Sequence, residues 1–213
     1  KRGGLVSHRR LSNGEDKPYE LNISWWSAMQ DSGRDLNRFQ YERFLLTQLL
    51  VMSLKGVPAF YLPALLASEN DIKSFSMTGQ RRDLNREKFK LEKLSAVFKN
   101  PESNANKNLR YLRNAMDLRG KLPQFHPQSE MECLSKSRGD IVVIKRGIGS
   151  KSVFTIHNMT ENKINYRLIE DEFTKLIKNN ENMQDYLTSN KYNSNNIELD
   201  PFQVIWLGFL IDD

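Results

Sequence analysis

Charged and amide side chains cluster in one short polar segment of the chain, at Arg82, Asp83, Asn85 and Arg86. An arginine guanidinium presents a planar fork of N–H donors to carboxylate, phosphate or sugar oxygens, and the Asn85 amide offers both donors and an acceptor. These residue types suit the binding of a polar or anionic ligand. The alternative is structural: Asp83 forms an ion pair with Arg82 or Arg86 that only fastens the loop.

An apolar run at residues 56–66 precedes this cluster. Its apolar residues do not alternate with polar ones, which is typical of a strand buried on both faces in a parallel sheet. Barrels and doubly wound sheets build their binding sites beyond the carboxyl ends of such strands. The pattern therefore predicts a parallel strand at 56–66, followed by part of a ligand site.

Several helices are predicted around this strand, and residues 1–18 are predicted to form a loop or an irregular hairpin. Apolar residues at helical spacing predict a buried helix over 36–54, which Lys55 and Gly56 end, and an amphipathic helix over 104–118. Asn13 and Gly14 indicate a turn within residues 1–18. The other predicted segments are a short strand entering a turn at 19–29, a helical turn at 70–78 and a charged helix at 86–98.

After Phe125 the apolar period changes from that of a helix to that of a strand. Short strands are predicted at 131–134, 141–145, 153–157 and 164–168, followed by helical turns at 170–187, an Asn-rich loop at 188–196 and final strands at 197–211. The predicted fold class is α/β followed by all-β. The predicted domains are residues 1–124 and an antiparallel β domain at 125–213.

Composition excludes several classes of protein. With 38% hydrophobic and 27% charged residues among 213, the chain has ordinary globular composition. The net charge is +6, but acidic residues lie in the same segments as the basic ones. This distribution indicates a surface of mixed charge and no nucleic-acid partner. Polar residues interrupt the apolar stretch at 44–54, so no membrane span is expected. A single cysteine, Cys133, fits a reducing, cytoplasmic location.

No residue pattern in the chain marks a catalytic centre. A retaining glycosidase needs two carboxyl groups about 5 Å apart, and neither Asp16, Glu20 nor Asp83 is marked by its surroundings as a nucleophile. No phosphate-binding glycine loop is present, and no metal or other cofactor is expected. The histidines are isolated from partners that would form a triad or a zinc site, so we expect structural roles for them: His8, His126 and His157.

Four segments resemble sucrose phosphorylases and their relatives, including glucosylglycerate phosphorylases, within the alpha-amylase superfamily of glycoside hydrolases. They occur in the family's order: KPYELNISWWSA at 17–28, GVPAFY at 56–61, RDLNREK at 82–88 and LDPFQVIWL at 199–207. The Gly-Val-Pro segment alone is common to many amylases. The combination of Tyr-Glu-Leu-Asn with Arg-Asp-Leu-Asn-Arg is much more specific.

The resemblance implies a fold for each part of the chain. Residues 56–66 would form the eighth strand of a (β/α)8 barrel, after the helix at 36–54. Residues 1–30 would form the mobile loop region near the acceptor subsite. Residues 1–124 would thus be the C-terminal part of the catalytic barrel, and residues 125–213 the C-terminal antiparallel β domain. We expect the rest of the barrel, or a second copy of the chain, to cover the apolar faces that remain.

The resemblance also implies substrates and site residues. Arg82 matches an arginine that closes the bottom of the glucosyl subsite, and Tyr19 and Glu20 match loop positions that contact phosphate or the acceptor in turn. With Asn22 and Asn85 they form the predicted substrate-binding set. The family transfers glucose from an alpha-glucoside to inorganic phosphate with retention, giving alpha-glucose 1-phosphate. Its catalytic aspartates and glutamate match nothing here and would precede Lys1, so we predict no catalytic residue in this chain and an inactive fragment.

Two other function classes stay open. Trp25 and Trp26, if exposed, would suit a non-catalytic carbohydrate-binding or interaction module. The basic net charge leaves a nucleic-acid binder as the third reading.

Overall fold

The computed structural model describes residues 2–31, 35, 37–134, 139–168 and 182–209. The chain divides into two compact units. The first comprises Lys1–Phe44 and Ala59–Leu112, and the second comprises Leu45–Pro58 and Arg113–Asp213.

A two-stranded antiparallel hairpin begins the first unit. Strand β1 (Leu5–Arg10) pairs with β2 (Asp16–Asn22). The turn contains Gly14 at φ +85°, a left-handed conformation that glycine adopts without steric cost. This confirms the hairpin predicted from Asn13 and Gly14, and β2 continues further than the loop assignment expected. Most of β2 is exposed to solvent.

The helices of the chain are α1 (Trp25–Ala28), α2 (Gln40–Ser53), α3 (Leu62–Leu65), α4 (Ile72–Thr78), α5 (Leu91–Lys99) and α6 (Asn104–Lys121). Short 3-10 turns occupy Arg81–Asn85, Pro123–Phe125 and Gly149–Lys151. The two long predicted helices are confirmed as α2 and α6, although α2 begins four residues later than its apolar pattern.

The predicted strand at 56–66 is wrong in this structure. Residues 57–61 belong to no β-ladder among the described residues, and Leu62–Leu65 forms the short helix α3. A parallel strand needs neighbours on its edges to pair its backbone groups, and none of the described strands pairs with this segment. Pro58 and Pro63 also lack N–H donors, and Pro63 lies in the first turn of α3, where proline is tolerated.

An antiparallel sheet forms the second unit. Its six strands lie in the order β3-β4-β5-β10-β7-β8, and β6 pairs with β9 in a separate ribbon. The strands are β3 (Met131–Cys133), β4 (Ile141–Arg146), β5 (Val153–Asn158), β6 (Ile164–Tyr166), β7 (Asn182–Asp185), β8 (Lys191–Asn193), β9 (Ile197–Leu199) and β10 (Val204–Phe209). The antiparallel β region predicted from the period of two is confirmed.

Two predictions within this sheet region need correction. Residues 182–185, assigned to helical turns, form β7, and the Asn-rich segment at 188–196 contains β8. Strand β7 pairs with the more distant β10, so tertiary pairing overrides its weak local signal. Strand β8 then pairs with β7 as a hairpin. The remaining residues of the predicted helical segment, 170–181, lie outside the described residues.

The core of the second unit lies on one face of the central strands. Alternate residues of β4, β5 and β10 are fully buried there: Ile141, Val143, Phe154, Ile156, Ile205 and Leu207. Trp206, also in β10, is fully buried and packs its ring 4.7 Å from that of Phe125.

Polar side chains bind the carboxyl end of α2 inside the second unit. The Ser53 carbonyl accepts a hydrogen bond from Arg146 Nη1 at 3.1 Å, and the Met52 carbonyl accepts one from Arg119 Nε at 2.8 Å. These cations satisfy carbonyls that have no partner within the helix. Burial lowers the pKa of the Arg146 guanidinium, and the nearby Arg119 charge lowers it further.

His157 is fully buried beside the same helix end. Its Nε2 lies 3.3 Å from Ser53 Oγ and its Nδ1 lies 3.2 Å from the Val142 carbonyl. Burial lowers the pKa of His157 from 6.5 to about 4, so the ring is neutral at physiological pH. These contacts give His157 a structural role.

The buried imidazole predicts a loss of stability in acid. Because the unfolded chain takes up a proton near pH 6.5 and folded His157 does so only near pH 4, acidification favours the unfolded chain. Between pH 7 and pH 4 this group lowers the free energy of unfolding by about 3 kcal/mol. Urea unfolding at several pH values measures the effect. The loss should shrink by that amount in His157→Gln and persist in the control His8→Gln, which changes an exposed ring.

Candidate functional site

Two segments of the first unit bring together three of the predicted site residues. Arg82 Nε donates a hydrogen bond to Glu20 Oε2 at 3.1 Å, across 62 positions of sequence. We call this contact the Glu20–Arg82 pair. The hydrogen bond and charge of Glu20 raise the pKa of Arg82, and Tyr19 adds a smaller effect in the same direction. The Glu20 side chain is 30% exposed and the Arg82 side chain is 51% exposed, so a ligand can reach both.

The turn that carries Arg82 is fixed by its neighbours. Thr78 Oγ1 donates to Asp83 Oδ2 at 2.7 Å, and Leu84 is 2% exposed. Arg81 Nη1 donates to the Val6 carbonyl at 2.9 Å, which connects the turn to strand β1. Arg82 thus pairs with Glu20 rather than with Asp83. Asp83 and Arg81 stabilise the turn through their bonds to Thr78 and Val6.

Asn22 lies in a different environment from the Glu20–Arg82 pair. It is fully buried at the end of β2, and its Nδ2 donates to Ser7 Oγ across the hairpin at 2.9 Å. Its Oδ1 accepts no hydrogen bond from any described residue. The assignment of Asn22 to substrate binding stays a prediction.

Asn85 lines a cavity of about 360 Å³ whose walls include Trp25 and Tyr61. The Asn85 Oδ1 is buried and accepts no hydrogen bond from the described part of the chain. Trp25 is 41% exposed, whereas Trp26 is 4% exposed and packs against the ring of Phe44 at 5.2 Å. The expectation of two exposed tryptophans is therefore wrong for Trp26, whose ring fills the core of this unit.

A second cavity, of about 460 Å³, lies in the same unit and contains none of the five predicted residues. Its lining comes from residues 66–73, the segment 87–94 and two residues further along, Val97 and Ala105.

The chain is similar in sequence to glucosylglycerate phosphorylases from several bacteria. The chain is 31% identical over 160 residues to a glucosylglycerate phosphorylase of Allomeiothermus silvanus, covering 75% of this chain and 28% of that protein. It is 32% identical over 145 residues to one of Spirochaeta thermophila, covering 68% and 24%. A third, from Escherichia coli, is 23% identical over 206 residues, covering 96% and 35%. No family model matches the chain.

Solved structures are similar in fold. A sucrose 6F-phosphate phosphorylase from Thermoanaerobacter thermosaccharolyticum matches with a TM-score of 0.57 at 18% identity, covering 74% of this chain and 29% of that one. AmyP E221Q, in complex with maltotriose, matches with a TM-score of 0.60 at 14% identity, covering 79% and 34%. The chain is related in sequence to glucosylglycerate phosphorylases. It shares its fold with these solved proteins.

The chain spans between 24% and 35% of the length of the curated relatives it matches. The fold class predicted from the sequence agrees with the C-terminal region of the superfamily, because helical segments precede an antiparallel sheet.

The described residues contain no candidate for a metal site or for a membrane-spanning helix. Within the described ranges, no group of three or more His, Cys, Asp or Glu side chains could hold a metal ion. No helix in the described part of the chain is long and apolar enough to cross a membrane.

Sequence reasoning missed Asn70, which has the densest hydrogen bonding around the site. Its amide and backbone contact residues 2, 3, 24 and 27, all far away in sequence. The following Asp71 does carry a local signal, because its carboxylate caps α4 by accepting from the Ser74 N–H at 2.9 Å. No local pattern marks Asn70 itself.

Proposed function

We propose that this chain is the C-terminal part of a retaining, glucosyl-transferring sugar phosphorylase of the sucrose or glucosylglycerate type. The enzyme would transfer glucose from an alpha-glucoside to inorganic phosphate. The Glu20–Arg82 pair carries the proposal, because it joins two segments that resemble the family and are 62 positions apart. A contact between these segments is what a shared substrate site requires.

Arg82 is the residue we assign to substrate binding with the most direct support. Its guanidinium is solvent-accessible and suits a phosphate or sugar oxygen, since it offers several donors in one plane. Water screens the exposed pair with Glu20, so that pair adds little to stability. A ligand oxygen can therefore replace the Glu20 carboxylate on Arg82 at small cost.

Glu20 and Tyr19 would act on the acceptor side. Glu20 balances the Arg82 charge. When phosphate occupies Arg82, like charge disfavours Glu20 in the same place, and the mostly exposed strand β2 leaves it room to move away. Tyr19, 60% exposed, can then contribute its hydroxyl to phosphate or to an acceptor hydroxyl. Asn22 and Asn85 complete the proposed set.

The chemistry would follow the family's double displacement. A carboxylate attacks the anomeric carbon and the glycosidic C–O bond breaks, while a carboxylic acid gives its proton to the leaving oxygen. A phosphate oxygen then attacks the same carbon and gives its proton to the second carboxylate, the bond to the first carboxylate breaks, and alpha-glucose 1-phosphate leaves. We assign both carboxyl groups to parts of the protein outside this chain. The chain itself would bind and orient the glucosyl and phosphate groups without cleaving the bond.

The proposed organisation follows the same assignment. Residues 1–124 would complete a catalytic (β/α)8 barrel, and residues 125–213 would be the C-terminal β domain. The partners would be the alpha-glucoside, inorganic phosphate and the remainder of the barrel or a second copy of the chain. We place the enzyme in the cytoplasm.

A comparison of two proteins tests the proposal. The full-length protein, incubated with glucosylglycerate or sucrose, should release glucose 1-phosphate only when phosphate is present, and the 213-residue chain alone should release none. Absence of turnover of both alpha-glucosides by the full-length protein would falsify the proposal.

A carbohydrate-binding module remains the second candidate. Trp25 at the cavity lined by Asn85 favours it, because an aromatic face beside an unpartnered amide suits a sugar ring and its hydroxyls. Calorimetry of the isolated chain with oligosaccharides tests this candidate. Heat of binding that Trp25→Ala abolishes would support it, and no heat with any sugar would exclude it.

A further inference from the structure

Asn70 binds both ends of the β1–β2 hairpin with a single side chain. Its Oδ1 accepts a hydrogen bond from the Ser24 N–H, just after β2, at 2.8 Å. Its Nδ2 donates to the carbonyls of Arg2 and Gly3, just before β1, at 3.3 and 3.4 Å. The Asn70 backbone N–H donates to Ser27 Oγ at 3.0 Å. The amide therefore connects the two chain segments that enter and leave the hairpin.

The next residue connects this anchor to the turn that carries Arg82. The Asp71 N–H donates to the Leu84 carbonyl at 2.7 Å, and Leu84 is buried two positions beyond Arg82. Glu20 lies on the hairpin and Arg82 on the turn. Both partners of the Glu20–Arg82 pair are thus held by two consecutive residues, Asn70 and Asp71.

The hairpin depends on such anchors because it has little core of its own. A two-stranded ribbon is marginally stable in water, and most residues of β2 are exposed. Besides the Asn70 contacts, the Arg81 side chain reaches the Val6 carbonyl, but that contact is exposed. Asn70 is half-buried; its bonds to Ser24 and Ser27 are partly buried, and those to the Arg2 and Gly3 carbonyls are exposed. Because four bonds from one residue hold both ends of the hairpin, they restrain it more than the single exposed Arg81 bond.

We propose that Asn70 is a positioning residue for substrate binding. It holds the hairpin so that Tyr19 and Glu20 face Arg82. Asn70 does this without contacting substrate, because it hydrogen-bonds to backbone groups and to Ser27. This role rests on the proposed phosphorylase function. Loss of the anchor lets the hairpin shift, which weakens phosphate and acceptor binding and leaves the bond-breaking groups untouched.

Gly3 provides an independent way to disturb the same anchor. Its φ is +72°, and a Cβ added there would lie 3.1 Å from Asn70 Nδ2. Gly3→Ala therefore crowds the anchor from the hairpin side and strains the left-handed backbone. If the anchor matters, Gly3→Ala and an Asn70 variant should change the same measured quantity.

The test uses Asn70→Asp in the full-length protein. Aspartate keeps an acceptor for the Ser24 N–H but places an oxygen against the Arg2 and Gly3 carbonyls, so that half of the anchor becomes repulsive. We expect KM for phosphate and for the acceptor to rise roughly 10-fold, with kcat changed less than about 3-fold. Gly3→Ala should raise KM in the same direction.

Asn106→Asp is the matched control. Asn106 Nδ2 also donates to two backbone carbonyls, those of Phe98 and Asn100 at 3.0 and 3.3 Å, but these connect α5 to α6. Its replacement removes the same chemistry away from the hairpin. We expect a similar fall in melting temperature from both variants and a raised KM from Asn70→Asp alone.

Amide hydrogen exchange in the hairpin measures the anchoring by Asn70 separately from its effect on substrate binding. Asn70→Asp should speed exchange in β1 and β2 about 10-fold relative to Asn106→Asp, with the second unit's sheet unchanged. Equal KM changes in the two variants, or equal hairpin exchange, would overturn the positioning role. If the unaltered protein releases no glucose 1-phosphate, the phosphorylase function fails, and hairpin exchange still decides whether Asn70 anchors the hairpin.

Discussion

Replacing Arg82 by alanine in the full-length protein should lower kcat/KM for phosphorolysis by roughly 100-fold or more, the usual cost of losing a charged donor to a reacting group. The physical reason is the loss of a charged, multi-donor group from the substrate site. Initial rates of glucose 1-phosphate release, measured over a range of phosphate concentrations, give the value.

Two further variants make this result specific to the guanidinium. Arg82→Lys keeps the charge but loses the planar fork, so it should recover only part of the activity. Arg113→Ala removes an exposed arginine on α6 that pairs with Asp117, and it should leave activity within about 3-fold of the original. Full activity in Arg82→Ala would remove Arg82 from the site and with it the main support for the proposed function.

Trp206→Ala should have the largest effect on stability, lowering the free energy of unfolding by about 3–5 kcal/mol. The indole is fully buried in β10 and packs on Phe125, so its removal loses apolar contacts and leaves a cavity. The Trp206 backbone N–H, which donates to Asp185 Oδ1 at 2.8 Å, is unaffected by the change. Urea unfolding measures the loss.

Trp206→Phe is the control for this prediction. Phenylalanine keeps an aromatic ring against Phe125, and the Trp206 Nε1 it removes donates to none of the described residues. The expected loss is therefore only about 1 kcal/mol. Equal losses in the two variants would show that packing against Phe125 does not hold this part of the sheet.

The elements predicted correctly are those whose signals are local. The turn at Asn13 and Gly14 specifies the hairpin, the helical spacing specifies α6, and the period of two specifies β4 and β5. The segment at 56–66 differs because an apolar run specifies burial but not a pairing partner. Without a neighbouring strand, part of the same run forms α3.

The resemblance to the family proposed the residues of the candidate site but not the contacts between them. It selected Glu20 and Arg82, while the structural alternative paired Asp83 with its close sequence neighbours Arg82 or Arg86. Folding instead brings Glu20 to Arg82 and gives Asp83 to Thr78. Asn70 was missed for the same reason, since its partners come from positions 2 to 27 and nothing in its own neighbourhood indicates them.

The most direct measurement of the central claim is phosphorus NMR of the full-length protein with glucosylglycerate and inorganic phosphate. A retaining phosphorylase consumes the phosphate signal and produces alpha-glucose 1-phosphate, and Arg82→Ala should slow that conversion. Formation of the beta anomer would contradict the proposed double displacement. An unchanged phosphate signal with both glucosylglycerate and sucrose would contradict the assignment of this chain to a glucosyl-transferring phosphorylase.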